Sequence, residues 1–176
     1  MRLKNLYFLF LSVYNNKKLV TKLGVHFGDG CRFIAVKRQT FGSEPYLIKL
    51  GNFVSISEGV RFITHDGGVW VHRNLDKSNE KIDHFGRIVI GNNVFIGMNV
   101  TILPNINIGD NCVIGTGSIV TKDIPSNSVV AGVPAKVLSS VDKYYSKNKN
   151  NFVNLKGLNH REKEKILRET YKLGDL

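Results

Sequence analysis

The chain has 176 residues, 42% of which are hydrophobic, and it carries a formal net charge of +11. This length suits one domain, and the apolar content supplies a buried core, which excludes a wholly disordered chain. The charge favours anionic partners such as phosphate-bearing cofactors, acidic glycans or anionic lipids. The sequence carries no recognisable motif that reads a nucleic-acid groove or stacks bases, so we expect no nucleic-acid partner.

Residues 1–23 begin with a basic start and an apolar run from Leu6 to Tyr14. The run is far shorter than the ~20 residues that span a bilayer. It resembles the hydrophobic part of a signal peptide, but no small-x-small cleavage site follows it. We therefore predict a short helix that lies on the end of the core or against a membrane surface.

A six-residue period organises residues 24–138. Leu50, Ile56 and Phe62 keep this spacing, and a second series continues it with β-branched aliphatic residues at Ile90, Ile96, Ile102, Ile108, Ile114 and Val120. The fourth residue after each member of the second series is also small or slim: Val94, Val100, Ile106, Cys112, Ser118 and Ile124. Such a unit forms a short strand and a tight corner, and three units close one triangular coil of about 18 residues. The period predicts an all-β domain of stacked parallel coils with both series pointing inward.

Glycine and cysteine follow the same period. Glycine stands directly after four members of the second series, at Gly91, Gly97, Gly109 and Gly115. We expect it to tolerate a corner backbone with positive φ. Cys31 and Cys112 fall on inward positions and are interpreted as small core residues. Two cysteines form neither a disulfide framework nor a zinc motif, and the histidine spacing does not suit a metal, so no metal site is predicted.

The period breaks between Phe62 and Ile90, which are 28 residues apart. Because 28 is not a multiple of six, extra chain at about residues 64–87 must leave the coil and return. The segment is polar and charged, as a projecting loop should be. His65 stands where the loop departs, on a rigid scaffold of the kind that commonly carries function in its loops.

Residues 139–176 follow the last repeat. The polar stretch SKNKNN is typical of a linker. Asn159, with Glu162 three residues later, has the spacing of a helix capping box. We predict a linker followed by a short helix.

The segment from Ile88 to Leu138, IVIGNNVFIGMNVTILPNINIGDNCVIGTGSIVTKDIPSNSVVAGVPAKVL, resembles the signature of the hexapeptide-repeat acyltransferases. The resemblance extends more thinly back to Gly24. It implies a left-handed parallel β-helix, against the usual right-handed rule for crossovers, with a projecting loop and short terminal helices. It also implies a homotrimer with active sites between subunits.

The same resemblance makes His65 the catalytic base, with His72 and His84 as alternatives. An imidazole with a pKa near 6.5 can take the proton of an acceptor hydroxyl as it attacks the thioester of acetyl-CoA. Asp66 is assigned to the catalytic site because it adjoins His65 in the chain.

The orienting partner of His65 is left open among Asp66, Glu58, Asp83 and a backbone carbonyl. Trp70 and His84 are candidate substrate contacts. Trp70 is interpreted either as a platform on which a sugar stacks or as an anchor that packs the loop.

The resemblance places coenzyme A in a groove between subunits, along the later coils. Gly97 and Met98 match the end of the pantetheine arm, and Lys122 and Lys136 match positions that meet phosphates as point charges. The full set of matching positions is Gly97, Met98, Thr116, Thr121, Lys122, Lys136 and Ser139.

The motif RFITHDGGVW, the early coil LGVHFGDGCRFIAV and the basic tail most resemble enzymes of bacterial surface-polysaccharide synthesis. We expect an acetyl-CoA-dependent O-acetyltransferase that modifies a sugar hydroxyl of a capsular, lipopolysaccharide or exopolysaccharide unit. Its expected place is the cytoplasm or the inner face of the membrane, with peripheral membrane association and a glycan or lipid-linked sugar as acceptor. The alternatives are an antibiotic acetyltransferase of the streptogramin or chloramphenicol type, which the polar loop argues against, and a non-catalytic β-helix scaffold, which His65 argues against.

Overall fold

The protein is described by a computed structural model that covers residues 2–173, with the side chains of residues 6–173. Met1 and the last three residues of the predicted 139–176 tail lie outside this range. The α-helices are α1 (Arg2–Tyr14), α2 (Asn16–Leu23), α3 (Val69–Leu75), α4 (Val141–Asn148) and α5 (His160–Thr170). Short 3₁₀ turns cover Arg38–Phe41, Pro45–Leu47, Lys77–Asn79 and Lys149–Asn151.

The strands are short and evenly spaced. They are β1 (His26–Phe27), β2 (Arg32–Phe33), β3 (Ile48–Leu50), β4 (Ser55–Ile56), β5 (Arg61–Phe62), β6 (His65–Asp66), β7 (His84–Phe85), β8 (Ile88–Ile90), β9 (Val94–Ile96), β10 (Thr101–Ile102), β11 (Asn107–Ile108), β12 (Cys112–Ile114), β13 (Ile119–Val120), β14 (Ser128–Gly132) and β15 (Ala135–Ser140).

Three parallel sheets form the sides of a triangular coil. The first has the order β1-β3-β8-β11, the second β2-β4-β9-β12-β14 and the third β5-β10-β13. Cys112 pairs with Val94 and Ile119 with Thr101, so in the regular part each residue lies beside the residue 18 positions away. The predicted parallel coil with three strands per turn is therefore confirmed. The antiparallel strand β15 extends the second sheet beyond β14 and ends at Ser140.

The inward positions are those that the period predicts. Two sets of residues at six-residue spacing, one from Ile90 to Val120 and one from Val94 to Ile124, are buried throughout. The most exposed member of either set is Ile124, at 6%. Cys31 and Cys112 are buried free thiols. Burial raises the pKa of the Cys112 thiol, which keeps the thiol protonated and unreactive, as a core residue should be.

The corner backbone differs from the expectation. Positive φ occurs two residues after three of the predicted glycines, at Asn93, Asn99 and Asn111, and at Asn105, six residues after Asn99, where no glycine stands two residues before. Asparagine tolerates this left-handed conformation better than most residues. At the corner between the first and second sheets, Asn93 donates its side-chain amide to Asn111 at 2.9 Å, and Asn111 donates to Asn127 at 3.1 Å.

The glycines serve the stacking of successive coils. A Cβ on Gly97 would lie 2.7 Å from the backbone nitrogen of Thr116, and one on Gly91 would lie 2.8 Å from the carbonyl carbon of Gly109. Both distances are shorter than carbon contacts allow. Glycine is therefore required because neighbouring coils approach closely, and the prediction that it supplies the positive φ is wrong.

Two insertions interrupt the coil. The first, between β2 and β3, carries Phe41, which is fully buried and stacks on Phe62 with ring centroids 5.6 Å apart. The second runs from β5 to β8 and was predicted as a loop. It contains α3 and the antiparallel pair β6–β7. The helix forms because VWVHRNL lacks helix breakers and because the Asp66 carboxylate accepts from the Gly68 N–H at 2.8 Å before the helix begins.

The chain divides into two units, at Tyr144 and Tyr145. The first contains the coil and both insertions. The second contains α5, where the Asn159 side chain accepts from the Glu162 N–H at 3.0 Å and the Glu162 carboxylate accepts from the Asn159 N–H at 2.8 Å. The predicted capping box is confirmed.

Replacing Asn111 separates the two contributions of a corner asparagine. Asn111→Gly removes the amide hydrogen bonds but keeps the left-handed backbone available. Asn111→Ala removes the same bonds and in addition places a Cβ at φ +55°, which costs about 1–2 kcal/mol. In urea unfolding we expect the alanine variant to be less stable than the glycine variant by about that amount. Equal stabilities would contradict the assignment of corner strain to the asparagine.

Candidate active site

The antiparallel pair β6–β7 holds two histidine–carboxylate pairs at the base of the second insertion. His65 lies opposite Phe85, and Asp66 lies opposite His84. Because side chains of successive residues in a strand point to opposite faces, His65 and Asp66 diverge. The pair is joined to the coil where Gly86 donates its N–H to the Thr64 carbonyl at 2.9 Å.

His65 is fixed by contacts on one edge and on one face of its ring. Nε2 lies 3.1 Å from Asp83 Oδ1, and the ring stacks on Phe85 with centroids 4.5 Å apart. The side chain remains 35% exposed. The imidazole is therefore held in one orientation and still open to a ligand, as a general base must be.

Asp83 has a second partner on α3. The Arg73 guanidinium contacts the same carboxylate oxygen, and Arg73 Nε donates to the Ile82 carbonyl at 2.7 Å. The sequence left the orienting partner of His65 open, and the observed contact belongs to Asp83. Arg73 was not among the residues predicted from the sequence, since its contact depends on how α3 folds back towards Ile82 and Asp83.

Asp66 takes part in the turn and does not meet His65. Its carboxylate accepts from the Gly68 N–H at 2.8 Å and lies 3.3 Å from His84 Nδ1. The Gly68 N–H and, after it, His84 lower the pKa of Asp66 below its ordinary value. The contacts of Asp66 are those of a residue that shapes the insertion. Glu58, another candidate partner, borders a different groove together with Lys37 and Arg61.

The remaining predicted residues of the insertion are exposed. Trp70 is 68% exposed on α3, so within one chain it does not anchor the insertion by packing. His72, also on α3, is exposed, and His84 is exposed on the face of the pair opposite His65. Among residues 2–173, no three His, Cys, Asp or Glu side chains gather into a group that could hold a metal ion.

The residues predicted to bind the cofactor fall into three places. Gly97, Met98 and Thr116 share the corner between the second and third sheets, where Gly117 donates to the Met98 carbonyl at 2.8 Å. Thr121 and Lys122 follow β13 at the corner between the third and first sheets. Lys136 and Ser139 lie on β15, beside Ala131 and Val129 of β14.

His65 and Met98 lie at different corners of two neighbouring coils. His65 follows β5 and Met98 follows β9, so a complete strand of the third sheet separates the two corners. One chain therefore does not bring these two predicted positions to the same corner. The site between subunits that the sequence predicts stays a prediction.

Comparison with known proteins identifies the family. Residues 87–122 match the bacterial transferase hexapeptide family, described as six repeats. Over 170 residues the chain is 48% identical to Protein CapG of Staphylococcus aureus, with 97% of each chain covered. The chain belongs to the hexapeptide-repeat acyltransferases.

Two further relatives of this hexapeptide-repeat acyltransferase are described by name. Galactoside O-acetyltransferase of Escherichia coli K12 is 46% identical over 105 residues, which cover 58% of this chain and 50% of that enzyme. A crystallised galactoside acetyltransferase in complex with coenzyme A superposes with a TM-score of 0.54 at 27% identity and covers 82% of each chain. The protein is therefore an acyltransferase, and the family recognised from the repeat is confirmed.

Acidification should loosen the insertion before the coil unfolds. Because the folded state lowers the pKa of Asp66, this carboxylate stabilises the fold above its unfolded pKa of about 3.9, and the contribution is lost as pH falls through the folded value. Trp70, the single tryptophan, reports on α3. We expect its emission to change below about pH 4 while the far-ultraviolet circular dichroism of the coil persists.

Asp66→Asn provides the control for this titration. It cannot lose a proton, so its acid step in Trp70 emission should be smaller than that of the wild type. Asp76, whose pKa is also lowered, by its hydrogen bonds from Ser78, is present in both proteins and cancels in the comparison. An unchanged acid step in Asp66→Asn would contradict the role given to Asp66.

Proposed function

We propose that the protein transfers the acetyl group of acetyl-CoA to a hydroxyl of a sugar unit in a bacterial capsular polysaccharide, lipopolysaccharide or exopolysaccharide. The observation that carries the proposal is the exposed His65 ring, held by Asp83 and Phe85 at the base of the insertion. Support for a sugar hydroxyl comes from the named activity of the galactoside O-acetyltransferase relative. Support for coenzyme A comes from the relative solved in complex with it.

His65 acts as a general base in this proposal. If Asp83 accepts the proton on Nε2, the neutral ring carries its lone pair on Nδ1. Nδ1 takes the hydroxyl proton while the oxygen attacks the thioester carbon, and the imidazolium then gives that proton to the departing thiolate. One ester bond forms, one thioester bond breaks, and the products are an O-acetyl sugar and free coenzyme A.

Asp83 and Arg73 position the base. The Asp83 carboxylate selects the ring tautomer and stabilises the imidazolium that forms during the reaction. Arg73 holds the carboxylate in place, and its contact with the Ile82 carbonyl fixes both to the strand. Without Arg73, the exposed Asp83 side chain would be free to rotate away from the ring.

A homotrimer of left-handed coils would bring His65 of one subunit to the pantetheine corner of the next. The corner of Gly97, Met98 and Thr116 is narrow because Gly97 lies close to the coil beneath. Met98 and Thr116 are exposed there and would line the arm of acetyl-CoA. Three head-to-tail contacts close into a ring, which gives three equivalent sites.

The acceptor would meet the exposed outer side of the insertion. Trp70 offers an apolar ring for a sugar face, and His84 offers a polar edge on the opposite face from His65. The proposed acceptor is a glycan or a lipid-linked sugar, used in the cytoplasm or at the inner face of the membrane.

Removal of the base tests this function most directly. His65→Ala should lower kcat by about 10²–10⁴-fold with acetyl-CoA and a panel of bacterial glycans. His72→Ala, which removes an exposed histidine from the same insertion, is the matched control and should keep wild-type turnover. Full activity of His65→Ala would refute the base assignment.

The same assay should show different effects on kcat for replacements of Asp83 and of Asp66. Asp83→Asn removes the partner of the ring, so we expect kcat to fall by more than about tenfold and the pH–rate profile to shift. Asp66→Asn leaves the His65–Asp83 contact intact and should cost less than about threefold. The reverse order would return the orienting role to Asp66.

The cofactor positions can be tested by steady-state kinetics. Lys122→Gln and Lys136→Gln should each raise KM for acetyl-CoA by about three- to tenfold, because each loses one exposed charge contact to a phosphate. The value of kcat should hold, since these contacts are remote from the reacting carbon. Lys49→Gln, an exposed lysine on β3, is the control, and an equal effect there would show that only overall charge matters.

A further inference from the structure

Helix α1 is apolar on almost every side. Leu11 packs into the core and Phe8 packs against it, yet six other large side chains of the helix are exposed: Leu6, Tyr7, Leu9, Phe10, Val13 and Tyr14. Leu6, Leu9 and Val13 are each at least 60% exposed. A helix that is apolar all round needs a second covering surface besides the core on which it sits.

The covering surface cannot be a bilayer that α1 crosses. The helix has 13 residues, a length of about 20 Å, against the ~30 Å hydrocarbon core of a bilayer. In residues 2–173 no helix reaches the length and apolarity of a membrane span. A short helix of this kind can instead lie in the plane of the interface, with its apolar side chains among the acyl chains.

The charged residues that follow α1 in the chain are all basic up to Asp29. Helix α2 follows directly and exposes Lys17, Lys18 and Lys22. The first acidic residue of the chain is Asp29. A basic margin beside an exposed apolar helix complements an anionic membrane surface, where each nearby Lys or Arg strengthens binding.

A groove of about 420 Å³ lies between α1 and the corner that precedes the Arg38–Phe41 turn. It is lined by Phe8, Leu9, Ser12, Lys37, Arg38 and Gln39. The Arg38 guanidinium carbon lies 5.9 Å from the centre of the Phe8 ring. Leu9 belongs both to the groove and to the exposed apolar surface, so the two are continuous.

We propose that α1 and this groove form a docking site for an anionic phospholipid bilayer. The exposed side chains of α1 enter the interface, and a phosphate headgroup sits in the groove against Lys37 and Arg38, with Gln39 as a hydrogen-bond donor. The inference rests on the proposed function only in that docking would bring the enzyme to a lipid-linked acceptor.

A second copy of the chain fits this surface less well than a bilayer does. Self-association through α1 would bring the lysines of two α2 helices towards each other, with no carboxylate before Asp29 to offset them. Like charges that meet at an interface oppose association. An anionic surface removes that conflict.

Vesicle sedimentation without any substrate tests the docking site. The full chain should pellet with vesicles of phosphatidylcholine and phosphatidylglycerol and remain in solution with phosphatidylcholine alone. Leu9→Ser with Val13→Ser should abolish pelleting. Lys37→Gln with Arg38→Gln should weaken it by about fivefold for each cation removed.

Three controls keep the result decisive. Lys147→Gln with Lys165→Gln removes the same charge from exposed positions elsewhere and should leave vesicle binding within about twofold. Soluble inorganic phosphate should not displace the protein from vesicles if the bilayer is the ligand. Turnover of a soluble glycan by Leu9→Ser with Val13→Ser should match the wild type, which separates docking from catalysis.

Several outcomes would overturn the inference. The first is no binding to anionic vesicles, and the second is displacement from vesicles by inorganic phosphate. The third is an equal loss of vesicle binding in Lys37→Gln with Arg38→Gln and in Lys147→Gln with Lys165→Gln. The fourth is a lower oligomer mass in Leu9→Ser with Val13→Ser without loss of vesicle binding. The last would identify a second copy as the occupant of α1.

Discussion

The narrow interior of the triangular coil governs the rest of the molecule. Three sheets face one interior, so each strand sends inward an apolar residue, mostly aliphatic, and the corner sends inward a slim one. Successive coils lie so close that Gly91 and Gly97 leave no room for a Cβ. Such close packing favours sites on the surface over sites in the interior. Function is therefore confined to the corners, where chain can leave without breaking a sheet.

The register of β6–β7 decides which carboxylate serves His65. His65 lies opposite Phe85, so Asp83, two residues before Phe85, lies diagonally across on the same face. Asp66 follows His65 directly and points to the other face, where it meets His84. Proximity in the chain favoured Asp66 as the partner of His65. The alternation of side chains along a strand favours Asp83 instead.

The regular part of the fold could be predicted and the irregular part could not. The period from Ile90 to Val120 is a packing constraint repeated at every coil, and such a constraint leaves a direct trace in the sequence. The pairing of β6 with β7 depends on how the chain folds between them, including α3 and a 3₁₀ turn. Two-residue strands leave no periodic trace, so neither Asp83 nor Arg73 could be assigned from the sequence.

The corner asparagines also show what the sequence could not predict, here at single positions of the repeat. The sequence marks glycine as the unusual residue because it recurs after the inward position, and positive φ is the usual reason for such a glycine. Here, the distance between coils is the reason, and asparagine takes the left-handed position because its amide can also bond to the coil below. A repeat identifies which positions are constrained, while the physical cause of each constraint requires the neighbouring coil.

The positive charge and the separated site residues have a common explanation in the proposed reaction. Lys122 and Lys136 stand in the later coils, where phosphates of coenzyme A would bind, and the lysines of α2 stand at the other end of the first unit, beside exposed α1. Two groups of cations at different places on one scaffold would serve two different anions. The acceptor would then approach from a membrane held at the first coils, and the donor from solution along the last coils. In the proposed reaction the two substrates would meet at His65, which lies on the insertion between these two groups in the chain.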